Sequence, residues 1–356
     1  MSVGSDSRPL IVRFGALGDM VLLTVLIRHL HKRFGQPVDI MASGGWARPL
    51  LQEQPGVGDI YVLRSRNTPY WLSSEQRAMV QLLRNRGRGP TWLADMENGK
   101  TTWLLTRAGW RPEDWCHYEG LQDVPGPHFC DLFLRFAYRN PPGIGGEDLP
   151  LNATDAYSEL HVADTQRTEL QQWLTSKGLC DRPMILIQVG NKRTMRRGLR
   201  QRASNTKYWP EHNWATVLRR LRDLHPDHAI LMLGVPQEAA LNDEILQMAG
   251  IGKAINVAHE LPIPRLKALC ETATGVISVD TGPAHVAAAM NAPVVTLFGK
   301  ANPLIYAPRG RNAKAVTLTG VHAGEPSMLG IAPDDVLSAW QQLGNRQEKQ
   351  RIHVSV

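Results

Sequence analysis

Three short segments bring together residue types that could hold a negatively charged ligand and move a proton. The first is Arg13-Phe14-Gly15-Ala16-Leu17-Gly18-Asp19, where an apolar strand runs into two glycines and an acid that begins a helix. Gly15 and Gly18 let the backbone turn sharply and let a ligand approach the leading amides of that helix, beside Arg13. Asp19 has two readings: a first-turn acid that caps the helix, worth about 1 kcal/mol, or a carboxylate acting as general base at the mouth of a site. Spacing alone leaves both open. With only two glycines the segment lacks the three-glycine dinucleotide fingerprint.

The second segment is Val279-Asp280-Thr281-Gly282-Pro283-Ala284-His285, followed by a run of small residues. A strand ends in Asp280, Pro283 suits a first helical position, and the small residues let the helix pack closely on a sheet. Amides at such a helix start, with the Thr281 hydroxyl, could hold a diphosphate, and His285 could add a hydrogen bond or charge. Singly, His285 is more often a packed or capping residue than a ligand, and Asp280 a turn former; their grouping at one strand end shifts the balance towards a site. The third segment, Lys207-Tyr208-Trp209-Pro210-Glu211, stands directly before a helix, with Lys207 placed to neutralise a leaving phosphate. A weaker feature is Glu238 in Gly234-Val235-Pro236-Gln237-Glu238, either a ribose-binding acid or a first-turn helix acid.

These segments need elements to hold them. From Leu10 short apolar runs (LIVRF, VDIMA, YVL, TWLAD) alternate with amphipathic stretches, the first from Asp19 to Phe34. After a Pro/Gly-rich break at Pro141 to Pro150 and a polar helix over Asp164 to Lys177, the alternation restarts with PMILIQVG, HAILMLGV, KAINV, GVISVD and PVVTLFG. Strand-helix alternation implies parallel sheets covered on both faces, and 356 residues favour two domains. A last helix is expected over Pro333 to Leu343, followed by a polar tail.

The net charge of +7 is concentrated: Asn191 to Pro210 holds seven Lys or Arg and no acid, so the excess lies in this segment alone. It suits an anionic ligand, although a solvated loop would look the same. The four cysteines lie far apart with no C-x-x-C pair, which fits reduced thiols and argues against a disulfide framework or a zinc site. No window approaches a membrane-spanning length and the first residues lack a secretion signal, so a cytoplasmic protein is expected.

In combination the segments resemble glycosyltransferase family 9, the ADP-heptose lipopolysaccharide heptosyltransferases. IVRFGALGDMVLLTVLIRHLHKRFG, the K-Y-W-P-E step, VDTGPAHVAAAMNAPVVTLFG and IAPDDVL match the family in order over most of the chain. The resemblance implies a GT-B fold, two Rossmann-like domains facing a central cleft. An acceptor-binding domain is expected over residues 1–165, a donor-binding domain over 166–335, and a C-terminal helix and tail over 336–356. It further implies an inverting transfer of heptose from ADP-heptose, with no metal and no cofactor, to a lipid-linked or core oligosaccharide of lipopolysaccharide. Asp19 would be the base; Lys207, Glu238, Asp280, Thr281, Gly282 and His285 would bind the donor; Arg13, Gly15 and Gly18 would form a phosphate or acceptor loop. Arg64, Arg66, Arg84, Arg86 and Arg88 are candidates for acceptor contact. A peripheral contact with the inner face of the membrane is expected, and no nucleic-acid partner.

One departure from the family is the arginine-rich insertion over 191–206, expected to be a mobile cover ordered by donor or phosphorylated acceptor. Two other functions remain compatible with the sequence: a GT-B enzyme with a different nucleotide sugar, and a polyanion-binding module with a degenerate cleft. The second lacks the interleaved aromatic platform of single-strand nucleic-acid binders.

Overall fold

The computed structural model describes residues 8–118, 128–144, 153–191 and 205–352, and the arginine-rich insertion therefore lies almost wholly outside the described residues. The chain divides into two compact units, Met1–His161 and Val162–Val356.

The first unit runs β1 (Leu10–Arg13), α1 (Leu17–Leu22), α2 (Thr24–Phe34), β2 (Val38–Ala42), α3 (Ala47–Leu51), β3 (Val57–Val62), α4 (Ser74–Arg86), β4 (Thr91–Leu93), α5 (Gly99–Ala108), β5 (Trp115–His117) and α6 (Phe129–Tyr138). Its sheet has the order β3-β2-β1-β4-β5, every pairing parallel. Strands β1, β2 and β4 are buried throughout, as their near-continuous apolar runs require when helices cover both faces. The one acid among them, Asp39, is fully buried and paired with Arg8 and Arg86. The stretch expected as a single helix from Asp19 resolves into α1 and α2, with Leu23 between them.

The second unit runs α7 (Asp164–Ser176), β6 (Met184–Gln188), α8 (Glu211–Leu224), β7 (Ala229–Met232), α9 (Ala239–Ala249), β8 (Ala254–Asn256), α10 (Ile263–Thr272), β9 (Gly275–Val279), α11 (Gly282–Ala289), β10 (Val294–Phe298), α12 (Pro303–Tyr306) and β11 (Ala315–Thr319). A short ribbon, β12 (Val321–His322) with β13 (Glu325–Pro326), precedes α13 (Pro333–Ile352). The main sheet is parallel, in the order β11-β10-β9-β6-β7-β8. Trp209 and Trp214 meet edge to face at 4.8 Å, and the Trp209 indole donates to Ile331 O at 3.0 Å, fixing the chain where it enters α8. Helix α13 continues through Ile352 instead of giving way to a tail at Leu343, and it packs on α8 and β11. Its Trp340 donates to His225 Nε2 at 2.9 Å, which requires that nitrogen unprotonated; burial pushes the His225 pKa down and favours this form.

Candidate active site

In the first unit the strand order reverses between β1 and β4. Loops leaving adjacent strands diverge at such a switch point and open a crevice at the carboxyl ends of the strands. Here the loop after β1 carries Asp19 and the loop after β4 carries Asp95. Asp19 sits in the first turn of α1, its Oδ2 accepting from Ala16 N at 2.8 Å and its Oδ1 from Arg13 Nη2 at 2.9 Å. The capping contact foreseen for a first-turn acid is therefore present, yet the side chain remains 33% exposed. A carboxylate offers about four lone-pair sites, so the cap and the ion pair leave acceptor capacity on both oxygens.

Arg13 turns inward. Its Nη1 donates to Ala94 O at 2.6 Å and stands 3.7 Å from Asp95 Oδ1, so one guanidinium lies between two carboxylates. Asp95 is buried and accepts from Phe14 N at 2.9 Å, and Arg66 closes on its other oxygen at 3.2 Å while stacking 4.0 Å over the Phe14 ring. Burial pushes the Asp95 pKa up; the Phe14 amide, Arg13 and Arg66 oppose this, and the negative charge of Asp19 adds to it. Asp95 was not singled out from sequence as part of this site. Gly15 is fixed by its neighbour, since a Cβ there would stand 2.5 Å from Asp19 Cβ. Gly18 is the second residue of α1 and half-buried.

Two of the five arginines proposed as acceptor contacts are structural. Arg86 pairs with buried Asp39 at 2.6 Å, and Arg88 grips buried Asp114 through two bonds of 2.8 Å. Both acids lie at sites that burial would otherwise make unfavourable for a charge, and the arginines answer that need. Arg84 donates to Arg107 O, whereas Arg64 and Arg66 belong to the loop after β3.

In the second unit the order reverses between β9 and β6. The connection leaving β6 brings Lys207 to this point and the end of β9 brings Asp280. The Lys207 ammonium donates to Asp280 Oδ2 and to the Asp280 carbonyl, each at 2.7 Å. Its backbone is held as well: Lys207 N donates to Asn205 Oδ1 at 3.1 Å, and Asn191 Nδ2 donates to Lys207 O at 3.2 Å. Thr281 is the N-cap of α11 with its hydroxyl donating to Val279 O at 3.3 Å; Gly282 opens the helix, and His285 is buried in its first turn.

Glu238 lies at the turn after β7, buried, accepting from Val235 N at 3.1 Å and Gln188 Nε2 at 3.3 Å. Its pKa is raised by burial, against which those two donors act. Gly190 and Gly234 make room for it: a Cβ on Gly190 would come 2.8 Å from Oε1, and Gly234 has φ +155°. Beyond it, where β7 and β8 end, a cavity of about 450 Å³ is lined by Trp173, Val235, Ala258, Glu260, Leu261 and Arg265. Arg265 stacks 4.8 Å over Trp173, whose indole donates to Glu260 at 2.9 Å. Apart from Val235, which belongs to the segment before Glu238, these cavity residues carry no motif and were not visible in sequence. Among the described residues no three or more His, Cys, Asp or Glu gather as a metal-binding group, and no helix is long and apolar enough to cross a membrane.

Two parallel Rossmann-like sheets, each with charged side chains gathered at its switch point, make up the GT-B architecture. The chain belongs to glycosyltransferase family 9 (heptosyltransferase), whose model matches residues 131–327. It is 25% identical over 349 residues to lipopolysaccharide heptosyltransferase 2 of Escherichia coli K12, covering 90% of this chain and 94% of that one. The corresponding enzyme of Salmonella typhimurium is 23% identical over 354 residues, covering 92% and 95%. Among solved structures, E. coli ADP-heptose lps heptosyltransferase II superposes with a TM-score of 0.71 at 21% identity, over 96% of this chain and 99% of that chain. E. coli heptosyltransferase WaaC with ADP gives 0.68 at 16% identity, over 94% and 99%. At these identities the structural likeness establishes the fold.

Proposed function

We propose that this glycosyltransferase transfers a heptose from ADP-heptose to a saccharide of the lipopolysaccharide core, with inversion and without a metal. The observation that carries the reading is the pair of switch points: a partly exposed carboxylate, Asp19, at one, and a lysine clamped at a helix start, Lys207, at the other. The relatives named lipopolysaccharide heptosyltransferase 2 supply the sugar and acceptor class, and the ADP-bound enzyme supplies the nucleotide.

The donor follows the second sheet from strand to strand. Asp280 lies after β9, Lys207 on the connection from β6, Glu238 after β7, and the cavity after β7 and β8. Three strand spacings of about 4.8 Å span roughly 14 Å, the reach of an extended nucleoside diphosphate. In this reading Lys207 and the start of α11, with Thr281, Gly282 and His285, take the diphosphate, Glu238 the ribose and the Trp173 cavity the base. Asp280 holds the lysine. At the first unit, Asp19 accepts the proton of the acceptor hydroxyl as its oxygen bonds to the anomeric carbon. The bond from that carbon to the diphosphate breaks on the opposite face, and ADP leaves with both bonding electrons. Lys207 offsets the charge that accumulates on it.

Thermal-shift titration of the purified chain with ADP, UDP, GDP and CMP tests the donor. Selective stabilisation by ADP, about 2.7 kcal/mol at a hundredfold excess over Kd, is expected. Turnover of ADP-heptose with a core saccharide and NMR of the product anomeric configuration then test the chemistry. Preference for another nucleotide, or a product of retained configuration, would overturn this reading.

A further inference from the structure

We propose that the loop following β3 is a membrane-docking surface, a rigid turn that sets Trp71 and Leu72 into the headgroup region of an anionic bilayer beside the acceptor site. The proposal rests on the acceptor reading above and adds the surface by which a lipid-anchored acceptor is met. Trp71 is 75% exposed, Leu72 60% and the nearby Trp103 43%. Together they present roughly 400 Å² of apolar surface, in the range of patches that mark interaction sites on single chains.

The turn is built to hold these side chains outward. Leu72 N donates to Pro69 O at 3.0 Å and Ser73 N to Tyr70 O at 3.1 Å, closing a helical turn over residues 70–72. The buried Gln76 ties the preceding loop from below, donating to Ser65 O at 3.1 Å and Thr68 O at 2.8 Å. Arg77 donates to the carbonyls of Tyr70 and Trp71 at 3.1 and 2.7 Å. The Tyr70 ring meets Trp103 edge-on at 5.2 Å, and the Arg107 guanidinium covers both rings at 4.7 and 4.4 Å. Trp71 therefore projects from a braced base.

The surroundings favour a lipid surface over a protein partner. Exposed Arg77 and Arg107 touch the turn and the Trp103 ring, exposed Arg64 and Lys100 lie on the flanking segments through Glu75 and Asn67, and the acids nearby are the half-buried Glu75 and the exposed Glu97. A tryptophan and a leucine within a collar of basic side chains match the amphipathic boundary of an anionic membrane, where indole rings settle at headgroup level and arginines reach phosphates. The apolar area is about half the roughly 800 Å² that each partner contributes to a standard protein interface. The loop is also tied to the chemistry: Arg66 within it bonds Asp95 at 3.2 Å, and Asp95 holds the Phe14 amide of the loop leading to Asp19. A sugar carried on a lipid headgroup and presented to Asp19 would bring its own bilayer against Trp71.

Co-sedimentation of the full chain with phosphatidylcholine vesicles, with and without 30% phosphatidylglycerol, tests this without any need for turnover. The chain should bind the anionic vesicles, and binding should weaken at high salt. The Trp71→Ser/Leu72→Ser double variant should lose at least about 10-fold in partition coefficient with an unchanged Tm, because both side chains are solvent-facing. Its turnover on a short water-soluble acceptor should match the parent, while turnover on a vesicle-borne acceptor falls. Equal partition of parent and variant would overturn the proposal, as would failure of the parent to bind anionic vesicles. A dimer seen by sedimentation that the double substitution dissociates would show the patch to be a contact between copies instead. Failure of the donor or acceptor reading would leave the partition result standing, so the two outcomes are separable.

Discussion

Gly15→Ala adds one methyl group beside Asp19 and leaves its chemistry untouched. The new Cβ would stand 2.5 Å from Asp19 Cβ and 3.0 Å from Oδ2, where ordinary contact begins at 3.4 Å. Relief requires about 1 Å of movement. Asp19 cannot swing freely, because its oxygens are engaged by the Ala16 amide and by Arg13. A misplacement of about 1 Å at a reacting group costs on the order of 10²-fold in rate. Overpacking at one position destabilises by about 1–3 kcal/mol, and in a domain of this size each kcal/mol lowers Tm by about 2–4 °C. The expected outcome is therefore a kcat roughly 10²-fold lower, a modest fall in Tm and an unchanged Kd for ADP, since the methyl group lies in the first unit. Steady-state turnover, calorimetric ADP titration and thermal melting measure the three quantities. Turnover equal to that of the parent would refute the role given to Asp19 placement, and a parallel loss of ADP affinity would refute the division of labour between the units.

Lys207→Ala should lower kcat/KM by about 10²- to 10³-fold through loss of charge at the leaving group. It should also cost about 1–2 kcal/mol of stability, because Asp280 keeps its nearly buried charge without the lysine; the partial exposure of Lys207 moderates this. ADP titration, turnover and denaturant unfolding of the one variant check both effects. Arg86→Gln is expected to cost about 3 kcal/mol in urea unfolding by leaving Asp39 with Arg8 as its remaining cation, while KM for acceptor in the folded protein stays unchanged. For Glu238 burial makes the native state hold its proton more tightly than the unfolded chain does. Its contribution is then fully present below the ordinary carboxylate range and is lost as pH rises through the raised native value. Glu238→Gln should flatten this pH dependence in denaturant melts between pH 4 and 7, match or exceed the parent in stability at pH 7, and weaken ADP binding roughly 3- to 10-fold.

Most of the strands were legible because a strand buried on both faces needs a near-continuous apolar run, and β1, β2, β6, β7, β9 and β10 carry one. The grouping of Asp280, Thr281, Gly282 and His285 was legible for a different reason: a strand end, a turn and a helix start are local, so one short segment displays them together. The direct contact of Lys207 with Asp280 spans 73 residues and exists only through the fold. Arginines show the same limit from the other side. Arg66 and Arg86 look alike in sequence, yet one reaches Asp95 beside Asp19 and the other is drawn inward by Asp39, the second residue of β2. Asp95 was passed over because its significance comes from the neighbours that β1 and the loop after β3 bring to it. Leu23 gave no sign of the interruption between α1 and α2, since leucine favours a helix on both sides.

The lysine clamp bears on how the site responds to salt. With its ammonium already held by both the side chain and the main chain of one aspartate, Lys207 has little need of a mobile counterion before the nucleotide arrives. On the donor reading proposed above, a diphosphate would join an assembled pair and displace few ions from solution. Recognition of the nucleotide should consequently change little across ionic strengths at which a loosely held lysine would lose its grip.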